Sequence, residues 1–231
     1  MPAHVRLIDE LRTALAAHAD PRNAAPMQAY MKSALPFFGI KTPERRRLLR
    51  EVCRRHPIGT AAELAQTVRA LWRGASHREE RYCAIELART GSNARLMNLT
   101  LLPLFERFIV EGAWWDYCDD ISGEAIAQLL RDEPARIEPV LRRWARGRDI
   151  WLRRASFLCQ RRMKSEFDAK LMYDCILPSI DSDEFFLRKG IGWALRERAY
   201  AAPAEVRAFC RRHRDRLSPL TLREALKRIG P

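Results

Sequence analysis

The sequence predicts an all-α protein, a HEAT-like helical repeat solenoid that occupies residues 1–231 as one domain and presents a concave basic face. Three observations carry this expectation. Apolar residues recur at helical spacing in nearly every segment, and no stretch sustains strand alternation. Turn residues divide the chain into helices of roughly 10–18 residues. Four stretches, HREERYCAIELA, GAWWDYCDDISGEAIAQLL, DIWLRRASFLCQRR and EFFLRKGIGWALRERA, each read as the second helix of a helical pair. Tyr82, Asp119, Arg154 and Trp193 mark equivalent points in them, 37, 35 and 39 residues apart. Irregular repeats of about 35–45 residues suit a stack whose second helices line one concave surface. Low identity between the repeats leaves a globular helical bundle as the alternative.

In chain order, MPAHVRLIDELRTALAAHA reads as an amphipathic first helix. It lacks the uninterrupted apolar core of a secretory leader, and Asp9 and Glu10 do not suit an acid-poor transit peptide. Thr42-Pro43-Glu44 places a capping hydroxyl before a proline at the first helical position. Thr60 and Glu63 have capping-box spacing ahead of a helix expected to end near Trp72. Ser182 precedes the EFFLRKGIGWALRERA helix. Ser218-Pro219 opens the last helix, which is expected to close at Gly230.

Charge narrows the partners. With 42 Lys and Arg against 29 Asp and Glu, the chain carries +13. Such an excess attracts nucleic acid, an anionic membrane or an acidic protein. Any one of the pairs Arg54-Arg55, Arg142-Arg143, Arg161-Arg162 or Arg211-Arg212 suits a solvated helix face. Their recurrence along the whole chain points instead to a distributed phosphate-binding surface. No apolar run approaches the ~20 residues of a membrane-spanning helix. The six cysteines form no CxxC pair and the five histidines no HExxH, so no metal or other cofactor is expected. Cysteines so spaced read as small buried hydrophobes in a reducing, cytoplasmic compartment.

Against this charge, residues 111–121, EGAWWDYCDDI, concentrate two tryptophans and three aspartates. Trp114, Cys118, Ile121 and Ala125 fall on an apolar stripe, while Trp115 and Asp119 lie side by side on the neighbouring face. Alone, the stretch suits packing, capping and ion pairing, and Asp116 fits that structural role best. Two further segments add to it. Phe186, Gly190, Trp193 and Glu197 share one helical face, with Gly190 and Gly192 admitting close approach of another backbone. Arg154 falls one repeat after Asp119 and should therefore be its neighbour.

The chain here resembles the AlkD-like alkylpurine DNA glycosylases, which are built from HEAT-like repeats. Tyr30-Met31-Lys32, PFFGIKTPERR (36–46), WWDYCDD (114–120), WLRR (151–154) and GWALRE (192–197) carry the resemblance, in order and over nearly the whole chain. Tyr117-Cys118, between the key acids, departs from the pattern without removing a required group. The resemblance implies that Asp119 is the catalytic carboxylate and that Trp115 and Trp193 are aromatic walls around the damaged nucleotide. It further implies that Arg154, Tyr30 and Lys32 contact DNA. The implied partner is double-stranded DNA containing N3- or N7-alkylated purines. The expected protein is a monomer with no membrane and no obligate protein partner. Two other readings account for the charge: a non-catalytic nucleic-acid-binding repeat module, in which Asp119 only pairs with arginine, and a protein-interaction solenoid with an acidic partner.

Overall fold

Leu7, Leu11 and Leu15 recur every fourth residue along α1 (Val5–Ala17) and are wholly excluded from solvent. Side chains of this kind contribute roughly 1.5–3 kcal/mol each when buried. His4 caps this helix by accepting the Leu7 N–H, as befits an amphipathic first element. The same periodicity builds α2 (Pro21–Met31), α3 (Thr42–Arg55), α4 (Ala61–Arg73) and α5 (Arg78–Leu87). The structure is a computed structural model that describes residues 2–230, the Ser165 side chain excepted. It divides into two compact units, 1–104 and 105–231.

In the first unit, α1 packs on α3 and α4, and α5 packs on α3 and α4. The PFFGIK stretch between α2 and α3 is shaped by one acid. Fully buried Glu79 accepts the backbone N–H groups of Phe38, Gly39 and Ile40 at 3.0, 2.9 and 3.1 Å. Gly39 adopts φ +86°, and a Cβ there would lie 2.1 Å from the Asp20 carbonyl oxygen. The turn therefore requires glycine. Glu80, also buried, accepts from Arg12 Nε at 2.7 Å and from the Ser76 hydroxyl and amide.

After α6 (Leu102–Gly112), α7 (Trp115–Asp120), a π-helical turn (Ile121–Ile126) and α8 (Ala127–Asp132) of the second unit follow one another without a break. Next come α9 (Pro134–Ala145), α10 (Ile150–Leu158), α11 (Ala169–Ile176), α12 (Phe185–Ala199), α13 (Pro203–Arg212) and α14 (Pro219–Leu226). The chain is all-α, and the described residues contain no strand. The helical pairing expected from the repeats is present: α4 packs on α5, and α9 on α10. Within the second unit, α10 packs against both α7 and α12, so the repeat-equivalent second helices are neighbours. Gly192 brings α12 onto α14, since a Cβ there would sit 3.0 Å from the Thr221 carbonyl oxygen.

Several boundaries differ from the sequence expectation. Thr42 lies inside the first turn of α3; Lys41 is the N-cap, without a side-chain cap bond. The proline at the start already fixes the helical φ, so the hydroxyl is not needed to begin the helix. Thr60 and Ser218 do cap, accepting the Glu63 and Thr221 N–H groups. The last helix ends at Leu226, and Gly230 takes a left-handed φ of +69° beyond it. Trp114 is the extended N-cap of α7, not part of its stripe, whereas Cys118, Ile121 and Ala125 are buried as expected. All six cysteines are buried and free, and burial raises the Cys53, Cys175 and Cys210 thiols to about 11. No described helix is long and apolar enough to cross a membrane.

Two outcomes follow from the buried acids. Glu79→Gln should cost about 1.5–3 kcal/mol in urea unfolding, the range for hydrogen bonds to a charged group, because an amide nitrogen would face backbone N–H donors. Burial alone would raise the Glu80 pKa, but the Arg12 and Ser76 hydrogen bonds outweigh it and hold the carboxyl below its usual 4.5. A depressed carboxylate stabilises the fold above its unfolded pKa and loses that contribution as pH falls through the folded value. Melting temperature should therefore fall as pH drops below about 4.5, and Glu80→Gln should flatten that fall.

Candidate active site

Asp119 sits in the last turn of α7, four residues after Trp115, just before the helix widens into the π turn. Turns of this kind often accompany functional side chains because they re-aim the residues beside them. The Asp119 carboxylate meets the Arg154 guanidinium of α10 edge to edge, with Nε to Oδ1 and Nη2 to Oδ2 both at 2.8 Å. Both residues are buried, at 7 % and 4 % exposure. The third nitrogen, Arg154 Nη1, donates to the Phe186 carbonyl at 2.5 Å. Burial works against the Arg154 charge, but the hydrogen bonds and charge of Asp119 prevail and raise its pKa above the usual value. The Arg154 guanidinium therefore keeps its charge and offers the carboxylate a planar, two-pronged donor edge.

Gly190 explains how α12 accommodates this pair. A Cβ at Gly190 would lie 2.6 Å from Arg154 Nη1 and 3.0 Å from Phe157 Cε2. The sequence suggested that Gly190 and Gly192 both admit a neighbouring backbone. Only Gly192 does so; Gly190 makes room for a guanidinium, because Arg154 reaches across the helix to the Phe186 carbonyl. Around the N-terminus of α12, Trp114, Trp151 and Phe186 form an aromatic cluster with centroids 4.9–6.2 Å apart. That cluster supports α7 and α10 beside the ion pair, and Cys118 Sγ adds a bond to the Trp151 carbonyl.

The second indole is joined to the acid through a residue that sequence reasoning did not single out. Arg161 Nη2 donates to the Asp119 carbonyl at 2.6 Å, and its guanidinium carbon lies 5.2 Å from the Trp193 ring centroid. Burial lowers the Arg161 pKa below its usual value. Gly123 gives it space, since a Cβ there would approach Arg161 Nη1 to 1.9 Å. Arg161 follows the end of α10 at Leu158, so helical spacing could not place it; the sequence marked it only as half of the Arg161-Arg162 pair. Trp193 Nε1 donates to Glu197 Oε1 at 2.8 Å, on the shared face of α12 that the spacing indicated. Trp115 and Trp193 are each half-buried.

Asp119, Arg154, Trp115 and Trp193 thus belong to one region of the second unit, with Arg161 bridging the acid and the second indole. Asp116 Oδ1 accepts the Tyr117 N–H in the first turn of α7. Tyr30 and Lys32 belong to the first unit, where Tyr30 is 74 % exposed near the end of α2 and Lys32 is its exposed left-handed C-cap.

The fold and this cluster define a helical-repeat protein with a carboxylate–arginine pair set beside indoles. Over residues 11–229 the sequence matches the model of a family described as DNA alkylation repair enzyme, and the chain belongs to that family. It is also similar to a solved structure described as "Predicted DNA alkylation repair enzyme from Enterococcus faecalis". That similarity has a TM-score of 0.81 and 28% identity, covering 91% of this chain and 96% of the other. No curated protein matches the sequence significantly.

Replacing Gly190 by alanine should push Arg154 away from Asp119. We expect Gly190→Ala to lower stability in urea by about 1–3 kcal/mol, the range for overpacking a filled site. Unchanged stability would show that the guanidinium does not depend on this space.

Proposed function

We propose that the protein is a monofunctional DNA glycosylase that hydrolyses the glycosidic bond of N3- and N7-alkylated purines in duplex DNA and leaves an abasic site. The observation that carries this reading is the Asp119 carboxylate, oriented by two hydrogen bonds from Arg154 in the region of Trp115 and Trp193. An N3- or N7-alkylated purine is cationic and already a good leaving group. Cleaving its bond to the sugar builds positive charge on the deoxyribose, as in other oxocarbenium-like hydrolyses. A fixed carboxylate stabilises that charge and orients the attacking water. Indole faces add attraction for cationic groups of roughly 0.5–2 kcal/mol each.

Arg154 first positions the acid. Three of its five N–H groups point at Asp119 and the Phe186 carbonyl, and at 4 % exposure it acts on the duplex through the acid it holds. Tyr30 and Lys32 are exposed and suited to further contact with the duplex. The net charge of +13 supports phosphate binding that weakens with salt. The working form is taken as a monomer that needs no cofactor.

One observation favours a second reading. A buried, bidentate Asp–Arg pair is also what a purely structural acid looks like, as expected for a non-catalytic nucleic-acid-binding module. Base release decides between them. On duplex DNA with one 7-methylguanine, the wild type should release the free base and Asp119→Asn should do so about 10²–10³-fold more slowly. Asp119→Asn also leaves Arg154 buried without its counter-charge, so circular dichroism and DNA affinity must accompany the rate. Lost release with retained fold and affinity supports catalysis; background release by both proteins supports the binding module. Uracil in the same position should not be released, because its glycosidic bond lacks the cationic leaving group.

A further inference from the structure

Arg161 also lines a cavity of about 650 Å³ that the proposed chemistry does not use. Small-ligand sites run from roughly 300 to 1,000 Å³, so it is large enough for a nucleotide. Its lining combines two kinds of surface. Phe167 and Tyr200 supply aromatic faces, and Tyr200 is 65 % exposed. Arg161, Arg162, Lys164 and Arg198 supply positive charge. Long basic side chains of this sort bury their stems along apolar surface and keep their heads at the rim.

The charges are not equally available. Arg162 is paired with Glu124, and Arg198 with Glu205 at 2.7 Å while it also covers the Phe167 ring at 5.0 Å. The Arg161 guanidinium, by contrast, donates to backbone carbonyls of Asp119 and Leu158. Burial lowers its pKa, against the opposing pull of the Asp119, Asp120 and Glu124 carboxylates. Arg161 and Lys164 are therefore the groups best placed to attract an anion. The one acid in the wall, Glu197, accepts the Trp193 Nε1–H through Oε1.

We infer that this cavity takes one nucleotide of a bound DNA strand, its base against Tyr200 and Phe167 and its phosphate at Arg161 and Lys164. Aromatic surface with a cationic rim is the chemistry that holds an unstacked nucleotide without reading its sequence. Because Arg161 also supports the Asp119 carbonyl and lies over Trp193, the occupant is a neighbour of the damaged nucleotide. The inference rests on the glycosylase reading for its location but not for its binding chemistry.

The test uses the full chain and duplexes carrying a stable abasic-site analogue, with 5-iododeoxyuridine placed in turn at each position near the analogue on both strands. Illumination should crosslink one position to Tyr200 or Phe167, identified by mass spectrometry of the digested adduct. The Tyr200 crosslink should disappear in Tyr200→Ala. Fluorescence anisotropy should show Tyr200→Ala binding the duplex about 10-fold more weakly, the loss of one base–aromatic stack. Crosslinks confined to other residues, with unchanged affinity of Tyr200→Ala, would overturn the inference. The two proposals fail separately. Base release from 7-methylguanine DNA without the Tyr200 crosslink removes only the cavity assignment, and the crosslink without base release removes only the glycosylase reading. A deoxynucleoside monophosphate that binds the free protein but does not block crosslinking would place the free nucleotide elsewhere and leave the cavity to the strand.

Discussion

The paired charges of Asp119 and Arg154 set the terms for the second unit. Removing two ions from water costs several kcal/mol each, and only near-ideal geometry offsets that cost. The two 2.8 Å bonds supply the geometry, and the bond to the Phe186 carbonyl satisfies the remaining guanidinium edge. One side chain thus ties α7, α10 and α12 together. Gly190 must be small for this to happen, and the aromatic cluster of Trp114, Trp151 and Phe186 holds the same three helices beside it.

The first unit meets the same constraint with different residues. Arg45 and Glu86 form a buried pair at 2.8 Å, joined by Arg46 at 2.7 Å. Glu79 is satisfied by three successive backbone N–H groups instead of by a cation. A chain with 42 basic and 29 acidic residues keeps part of its scarce acid inside, where it organises helices and loops. This is the physical answer to why carboxylates occur in the middle of a basic protein: at Asp119 the negative charge is balanced locally before any polyanion approaches.

That balance also defines what Asp119 can do. An acid neutralised at close range repels a phosphate backbone little, yet it remains a fixed negative end of a dipole for a cation that develops beside it. Arg161 has the complementary position, donating to the Asp119 carbonyl with its guanidinium near the Trp193 ring. Arg154 thus holds the Asp119 carboxylate while Arg161 holds the backbone carbonyl of the same residue.

Helical spacing in the sequence determined the class of fold, the capping at Thr60 and Ser218, and the shared faces of Trp115 with Asp119 and of Trp193 with Glu197. These depend on contacts three or four residues apart, which the chain encodes directly. The repeat period also made Asp119 and Arg154 neighbours before any coordinates, because equivalent positions of stacked repeats adjoin. The tertiary structure alone decided the rest. It fixed the bidentate geometry, assigned Gly190 to a guanidinium and not to a backbone, and placed Arg161 beyond the end of α10 against both Asp119 and Trp193. Such placements depend on how a loop leaves one helix and on which space a distant glycine leaves open, and no local periodicity records either.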